Sequence, residues 1–426
     1  MLELIQKERQ YLKSTDHGVA LWRNQLIRQA GQVGNATFVS SSVWITPISV
    51  SRESRPTLAS IQKEFRLPQP ENSEHNVPKG QTMKRSNLTA GVLLAVIAAT
   101  NVRAQQETDD VALHEHHSHI HDNDEPVGVM GAHIHEAGEW MLSYRYMFME
   151  MDGNRDGNTG LSEQDVFAQG FMVTPTRMTM EMHMLGAMYA FTDDFTLMSM
   201  LPYVRISMDH RTRAGGEFTT QSEGIGDVRL AGMYVLRRWA RQQVHLNAGI
   251  GLPTGSVQEK DDTPAGSNQK LPYPMQLGSG TFDLLPGITY LGQADDWSWG
   301  SKLDGTFRLG TNDEGYTLGN RIALTVWGAK KWANWVSTSL RLNGQSWGNI
   351  DGQDDDLNPA MVPTADPDRR GGERIDLSLG VNLYGREGRV KDHRLGVEVG
   401  TPIYQSLDGP QLETDWMLTV GWQYAW

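Results

Sequence analysis

The chain of 426 residues contains no cysteine, which excludes a disulfide framework and every thiolate metal site. It also lacks any apolar run near the roughly 20 residues that a membrane-spanning helix needs. Basic residues are in deficit: 38 Lys and Arg against 51 Asp and Glu leave a formal charge of -13, which argues against a nucleic-acid partner. A hydrophobic content of 38% and a mean hydropathy of -0.47 look like a soluble protein. The same averages describe a transmembrane β-barrel, whose lipid-facing residues alternate with luminal ones and are diluted by polar loops.

The last residues decide between the two. Trp416, Leu418, Val420, Trp422, Tyr424 and Trp426 fall on one face of an extended strand, and Met417, Thr419, Gly421, Gln423 and Ala425 on the other. One greasy, aromatic face and one small or polar face suit a strand between lipid and lumen. Upstream, Met83-Lys84-Arg85, the apolar stretch Leu88 to Ala99 and the small-x-small site Val102-Arg103-Ala104 compose a secretory signal peptide over residues 83–104. This reading starts the chain at Met83 and sets residues 1–82 aside as an upstream extension. The mature protein then begins at Gln105, outside the cytoplasm.

Residues 105–136 are polar and carry His114, His116, His117, His119, His121, His133 and His135. A flexible periplasmic segment with that many imidazoles offers copper, zinc or nickel several exchanging arrangements, with no apolar shell to select one. From residue 137 to 426, period-two alternation predicts an all-β, closed antiparallel transmembrane barrel of about twelve strands, at 138–150, 175–191, 194–209, 225–238, 242–253, 280–291, 297–310, 316–330, 334–346, 373–385, 392–403 and 414–426. Short connections follow the even strands and several long ones follow the odd strands, as periplasmic turns and extracellular loops would. Both termini then lie in the periplasm.

A charge on the lipid face near the mid-membrane costs about 2–4 kcal/mol, so the charged phase of each strand is assigned to the lumen. That assignment predicts Arg145, Arg177, Glu181, Arg205, Asp227, Arg229, Asp283, Lys302, Asp304, Arg308, Arg321, Arg341, Asp376, Arg394 and Glu398 as lumen-lining, in a narrow, ion-paired interior occluded by loops or by the N-terminal segment rather than a wide water-filled pore. Methionine is concentrated as well, with 14 of the 20 between Met130 and Met208. By the same phase Met178, Met180, Met182 and Met184 turn to lipid, where they serve only as adaptable apolar side chains. Met141, Met147, Met149 and Met417 turn inward as candidate soft-metal contacts. His183 reads as luminal, as does His245. The stretch DGNRDGNTGLSE has calcium-loop spacing at Asp152, Asn154, Asp156 and Glu163, although a strand rather than a helix precedes it.

The runs PVGVMGAHIHEAGEWMLSYRYMFMEMDGNRDG, PTRMTMEMHMLGAMYAFTDDFTLMSMLPY and SEGIGDVRLAGMY resemble the outer-membrane proteins grouped as transporters of the MetA pathway of phenol degradation. The resemblance spans residues 126–426. It implies a barrel in the outer membrane of a Gram-negative bacterium and, through the family's name, passage of small organic or aromatic solutes. Its partners are then outer-membrane lipid, a small-molecule solute and the assembly machinery that recognises an aromatic end such as Trp426. No catalytic residue comes with it. An enzyme is not expected: no G-x-S-x-G occurs, and His183, His210, His245 and His393 are the only histidines within the barrel. The alternative is a metal-handling or efflux-associated role for the His-rich segment with copper, zinc or nickel. No cofactor is required in either reading, with calcium at the 152–163 loop as an optional addition.

Overall fold

The computed structural model describes residues 125–426. The expected extension over 1–82, the signal peptide over 83–104 and the histidines from His114 to His121 lie outside the described residues. Within them, eleven strand elements form one ring: β1 (Trp140–Gly157), β2 (Val173–Thr192), β3 (Phe195–Thr212), β4 (Val228–Trp239), β5 (Gln242–Leu252), β6 (Phe282–Gln293), β7 (Trp297–Leu309), β8 (Arg321–Ala333), β9 (Val336–Trp347), β10 (Gly372–Tyr384) and β11 (His393–Ala425). Each pairs antiparallel with its chain neighbour, and β11 pairs antiparallel with β1 to close the ring. Closure leaves no unpaired edge, the condition for a sheet to cross lipid.

A ring in which every neighbour is antiparallel needs an even number of segments, so one element must count twice. It is β11. Its 33 residues would exceed 100 Å if straight, at about 3.3 Å per residue. Residues 394–407 pair with β10, residues 407–425 run back along β1, and Thr401 Oγ1 donates to Asp415 O at 2.8 Å between the two arms. Twelve wall segments result. The predicted eighth strand starts late: Tyr316–Thr317 leaves the wall to pair with Asp351–Gly352.

Facing follows from exposure and register. On β1 the outer set Trp140, Leu142 and Tyr144 is exposed while Met141, Ser143 and Arg145 are buried. Trp140, Phe191, Tyr234, Trp297, Trp332, Trp335 and Trp426 stand exposed beside the short turns, an aromatic girdle at the periplasmic interface. On the other strands the expected phase recurs, with Leu379 66% exposed between Ser378 and Gly380, which are both buried.

On β2 and β3 the phase is the reverse of that expected. Cross-strand partners share a face, and Met151, Met149, Met147 and Arg145 pair with Met178, Met180, Met182 and Met184. The methionine stripe therefore lines the interior. Arg177, Glu181 and Arg205, expected in the lumen, project from the outer face, and so does His183, which bonds Tyr144 Oη at 2.7 Å. The reason is strand length. β1 to β3 run 18 to 20 residues, whereas a tilted strand crosses the apolar band in about 9–11. Arg205 lies ten residues above the start of β3, where the wall partner has already changed from β4 to the loop strand Glu217–Ile225. Above the band the outer face meets water. There Arg177 pairs with Glu150, and Arg205 with Glu223 at 2.7 Å, both without the lipid penalty.

Candidate functional site: a plugged lumen with two unlike walls

The chain from Glu125 to His135 crosses the lumen near its periplasmic end, and its contacts come from strands all around the ring. Arg394 of β11 donates to the Glu125 carboxylate at 3.0 Å and to its carbonyl, and Asn382 of β10 reaches the same carbonyl. Arg145 of β1 donates to Val127 O at 3.1 Å, Lys302 of β7 to Met130 O at 3.0 Å, and Thr196 Oγ1 of β3 accepts from His135 N at 3.3 Å. His245 of β5 bonds Gly131 O at 3.4 Å. Glycine on both sides permits the approach. A Cβ on Gly128 would lie 2.7 Å from Arg341 Nη2, and one on Gly396 would lie 2.7 Å from Val127 Cβ. His133 and His135 are thereby held in the interior and buried, which corrects the expectation of a flexible segment for this part of the tract.

One side of the lumen is a ladder of ions. Arg374 faces Asp376 at 2.9 Å and Lys302 faces Asp304 at 3.2 Å, while Arg308 pairs with Asp283 and Arg341 with Glu398. Asp227, at the rim, accepts from Gly255 N at 3.0 Å and Ser279 N at 2.8 Å and so fastens a loop. Arg229 and Arg321 are also on the inner face and form no salt bridge among the described residues; Arg308 repels both, while Asp283, Asp227 and Asp304 attract Arg229 and Asp376 attracts Arg321. For Glu125, burial by itself raises the carboxyl pKa; His133 and Arg394 outweigh it and hold the group ionised well below the carboxylate range.

The opposite side is thioether. Met141, Met184, Met188, Met198, Met200 and Met233 form one buried cluster, with Met130 and Ile134 of the plug packed against it. Met151, Met178 and Met208 form a second cluster higher up with Val204 and Ile206, covered by Leu271, Met275 and Leu277 of the loop between β5 and β6. The plug thus packs against the lower methionine cluster and the loop between β5 and β6 against the upper one. Met417, on the inner face of β11, stands apart from both clusters, 3.8 Å from Arg374.

The extracellular cover has its own core of Tyr273, Tyr316, Ile350, Leu357 and Ala365. Lys270, buried, joins Glu314 at 2.9 Å to Asp354 at 3.0 Å. The hydrogen bond from Lys270 outweighs burial and lowers the Glu314 pKa; burial raises that of Tyr316. With the ammonium among them, Glu314, Asp354 and Asp356 are a salt-bridged acidic group rather than a cation cage. The calcium-loop residues do not converge. Residues 152–156 continue β1 into a hairpin; Asn154 donates to Pro175 O at 2.7 Å, Asp156 accepts from Gly409 N at 3.2 Å, and Glu163 opens helix α1 (Glu163–Ala168) and pairs with Arg211 at 2.8 Å.

The sequence reading missed the interior methionines of β2 and β3 and the role of Glu125. Only the Gly-rich spacing at Gly128 and Gly131 hinted at a chain lying tight against a wall.

A model of the family described as "Putative MetA-pathway of phenol degradation" matches residues 164–384. No curated protein matches the chain. Among solved structures, the COG4313 outer membrane channel from Pseudomonas putida F1 is similar with a TM-score of 0.51 at 13% identity, over 70% of this chain and all of that one. The KdgM porin gives 0.33 at 12% identity, over 67% and 98% of the two chains. The CymD monoaromatic hydrocarbon channel gives 0.31 at 8%, over 68% and 89%.

Proposed function

Because the chain belongs to the MetA-pathway family of phenol degradation, with an outer-membrane barrel as its fold, we propose that it is a passive channel for small organic solutes carrying an apolar body and an anionic group. The observation that carries this reading is the pair of unlike walls. A thioether surface accepts an apolar or aromatic body of varied shape, since methionine is flexible and makes favourable sulfur–ring contacts. Beside it Arg229, and farther round the ring Arg321, present guanidinium groups that form no salt bridge among the described residues. A carboxylate or phenolate passing there gains charge-assisted hydrogen bonds. Arg229 sits at the level of Met200, its cross-strand neighbour, so one small solute can touch both walls. The plug makes conduction conditional on its movement. No catalytic chemistry is asked of the interior.

Reversal potentials in planar bilayers test the selectivity. With salt gradients of sodium benzoate and of benzylammonium chloride, the benzoate ion should permeate better, and the double substitution Arg229→Gln with Arg321→Gln should abolish the preference. Equal permeation of both ions by the unaltered protein would remove the anionic part of the reading.

A further inference from the structure

Two histidines of the plug carry buried ring nitrogens without a hydrogen bond, both nitrogens of His133 and Nε2 of His135. His133 Nδ1 lies 2.6 Å from Glu125 Oε1, and His135 Nδ1 lies 3.1 Å from Glu139 Oε2. On both rings Nε2 is buried with no hydrogen-bond partner. The residues are 6% and 5% exposed. Unsatisfied buried nitrogens normally have a reason. A carboxylate on Nδ1 fixes the proton there and leaves a lone pair on Nε2, which is how proteins orient a histidine that binds metal. The rings are adjacent, with centroids 4.8 Å apart and their planes at 78°.

The sulfur is in the same place. A small cavity beside His133 is lined by Met141, Met188, Met198 and Met200, and a Cβ built on Gly131 would fall 3.8 Å from Met198 Sδ. We infer that His133, His135 and thioethers of this methionine group form a site for monovalent copper. Thioether sulfur is a soft ligand that suits Cu(I), whereas the sulfur that zinc takes is usually thiolate, which this chain lacks, and nickel and divalent copper are suited by imidazole. Charge points the same way. The thioethers carry no charge and Arg145 lines the same cavity, so one positive charge is easier to hold there than two. An ion bound by the plug's histidines and the methionines of β1 to β3 would tie the plug to that wall. The inference is independent of which solute the channel carries.

X-ray absorption on the full chain tests it. The purified protein is loaded without oxygen with one equivalent of Cu(I) as its acetonitrile complex, and affinity is measured by competition with bathocuproine disulfonate. The copper should show sulfur and imidazole scatterers together. His133→Ala with His135→Ala should weaken binding at least tenfold and lose the sulfur signal; leucine at Met141, Met188, Met198 and Met200 should remove the sulfur while conserving volume. Migration with and without heating confirms that each variant is folded. Copper with only nitrogen or oxygen neighbours in the unaltered protein, or a sulfur signal that survives both sets of substitutions, would overturn the assignment.

Discussion

Glu125→Ala should release the plug. The Glu125 and Arg394 side chains are each only 8% exposed, and the carboxylate serves both Arg394 at 3.0 Å and His133 at 2.6 Å. Removing one partner of a buried ion pair costs about 3–5 kcal/mol, because the other charge stays desolvated. Here the lower end applies, since Arg394 keeps the Glu125 carbonyl, Asn382 and Gln423 as acceptors. About 3 kcal/mol corresponds to a shift of roughly a hundredfold in the ratio of docked to released plug. Single-channel recording reads that ratio as open probability. Glu125→Gln should fall between, keeping a hydrogen bond but no charge, and adding Arg394→Met to Glu125→Ala should change little further. The effect should persist at high salt, because buried pairs are weakly screened. An open probability for Glu125→Ala equal to that of the unaltered protein would refute the reasoning.

Other outcomes follow from facing and from the loop cover. Leu379→Arg puts a charge on the lipid side at the middle of β10 and should cost about 2–4 kcal/mol of barrel stability, seen as a loss of heat-modifiable band in folding assays. Arg205→Leu, ten residues up β3 on the outer face, should change stability by less than about 1 kcal/mol, as for an exposed ion pair. Lys270→Met leaves Asp354 buried without its cation and should cost the cover about 3–5 kcal/mol, seen as faster proteolysis between β5 and β6. Glu314 has a depressed pKa, so its stabilisation is complete above the unfolded value of 4.5 and lost as pH falls below it. Hydrogen exchange at residues 310–318, corrected for intrinsic rates, should therefore accelerate only below about pH 4.5.

Much of the barrel was legible because lipid enforces alternation over its whole thickness: Leu377, Leu379, Val420 and Trp422 could face only one way. The turns after β2, β4, β6, β8 and β10 were legible for the same reason, as the chain must reverse at the interface. Legibility ended where lipid ended. Above the band a charge on the outer face costs nothing, so Glu181 and His183 gave no hint that Met180 and Met182 pointed inward. Thioether suits lipid and a packed lumen equally, and only the register with β1 separates the two. Occlusion by the N-terminal segment was expected, but the contacts that hold the plug were hidden for another reason. Residues 125–135 have no period, and two of the partners that hold them, Arg394 and Lys302, lie more than 160 residues away in sequence.

Conductance of the barrel with and without residues 125–135 tests the central claim most directly. The unaltered protein should stay mostly closed in planar bilayers, with rare brief openings. An internal deletion of those eleven residues, verified as folded, should conduct steadily and pass benzoate in preference to benzylammonium. A folded deletion protein that stays silent would contradict the account, since the segment would then not be what closes the lumen.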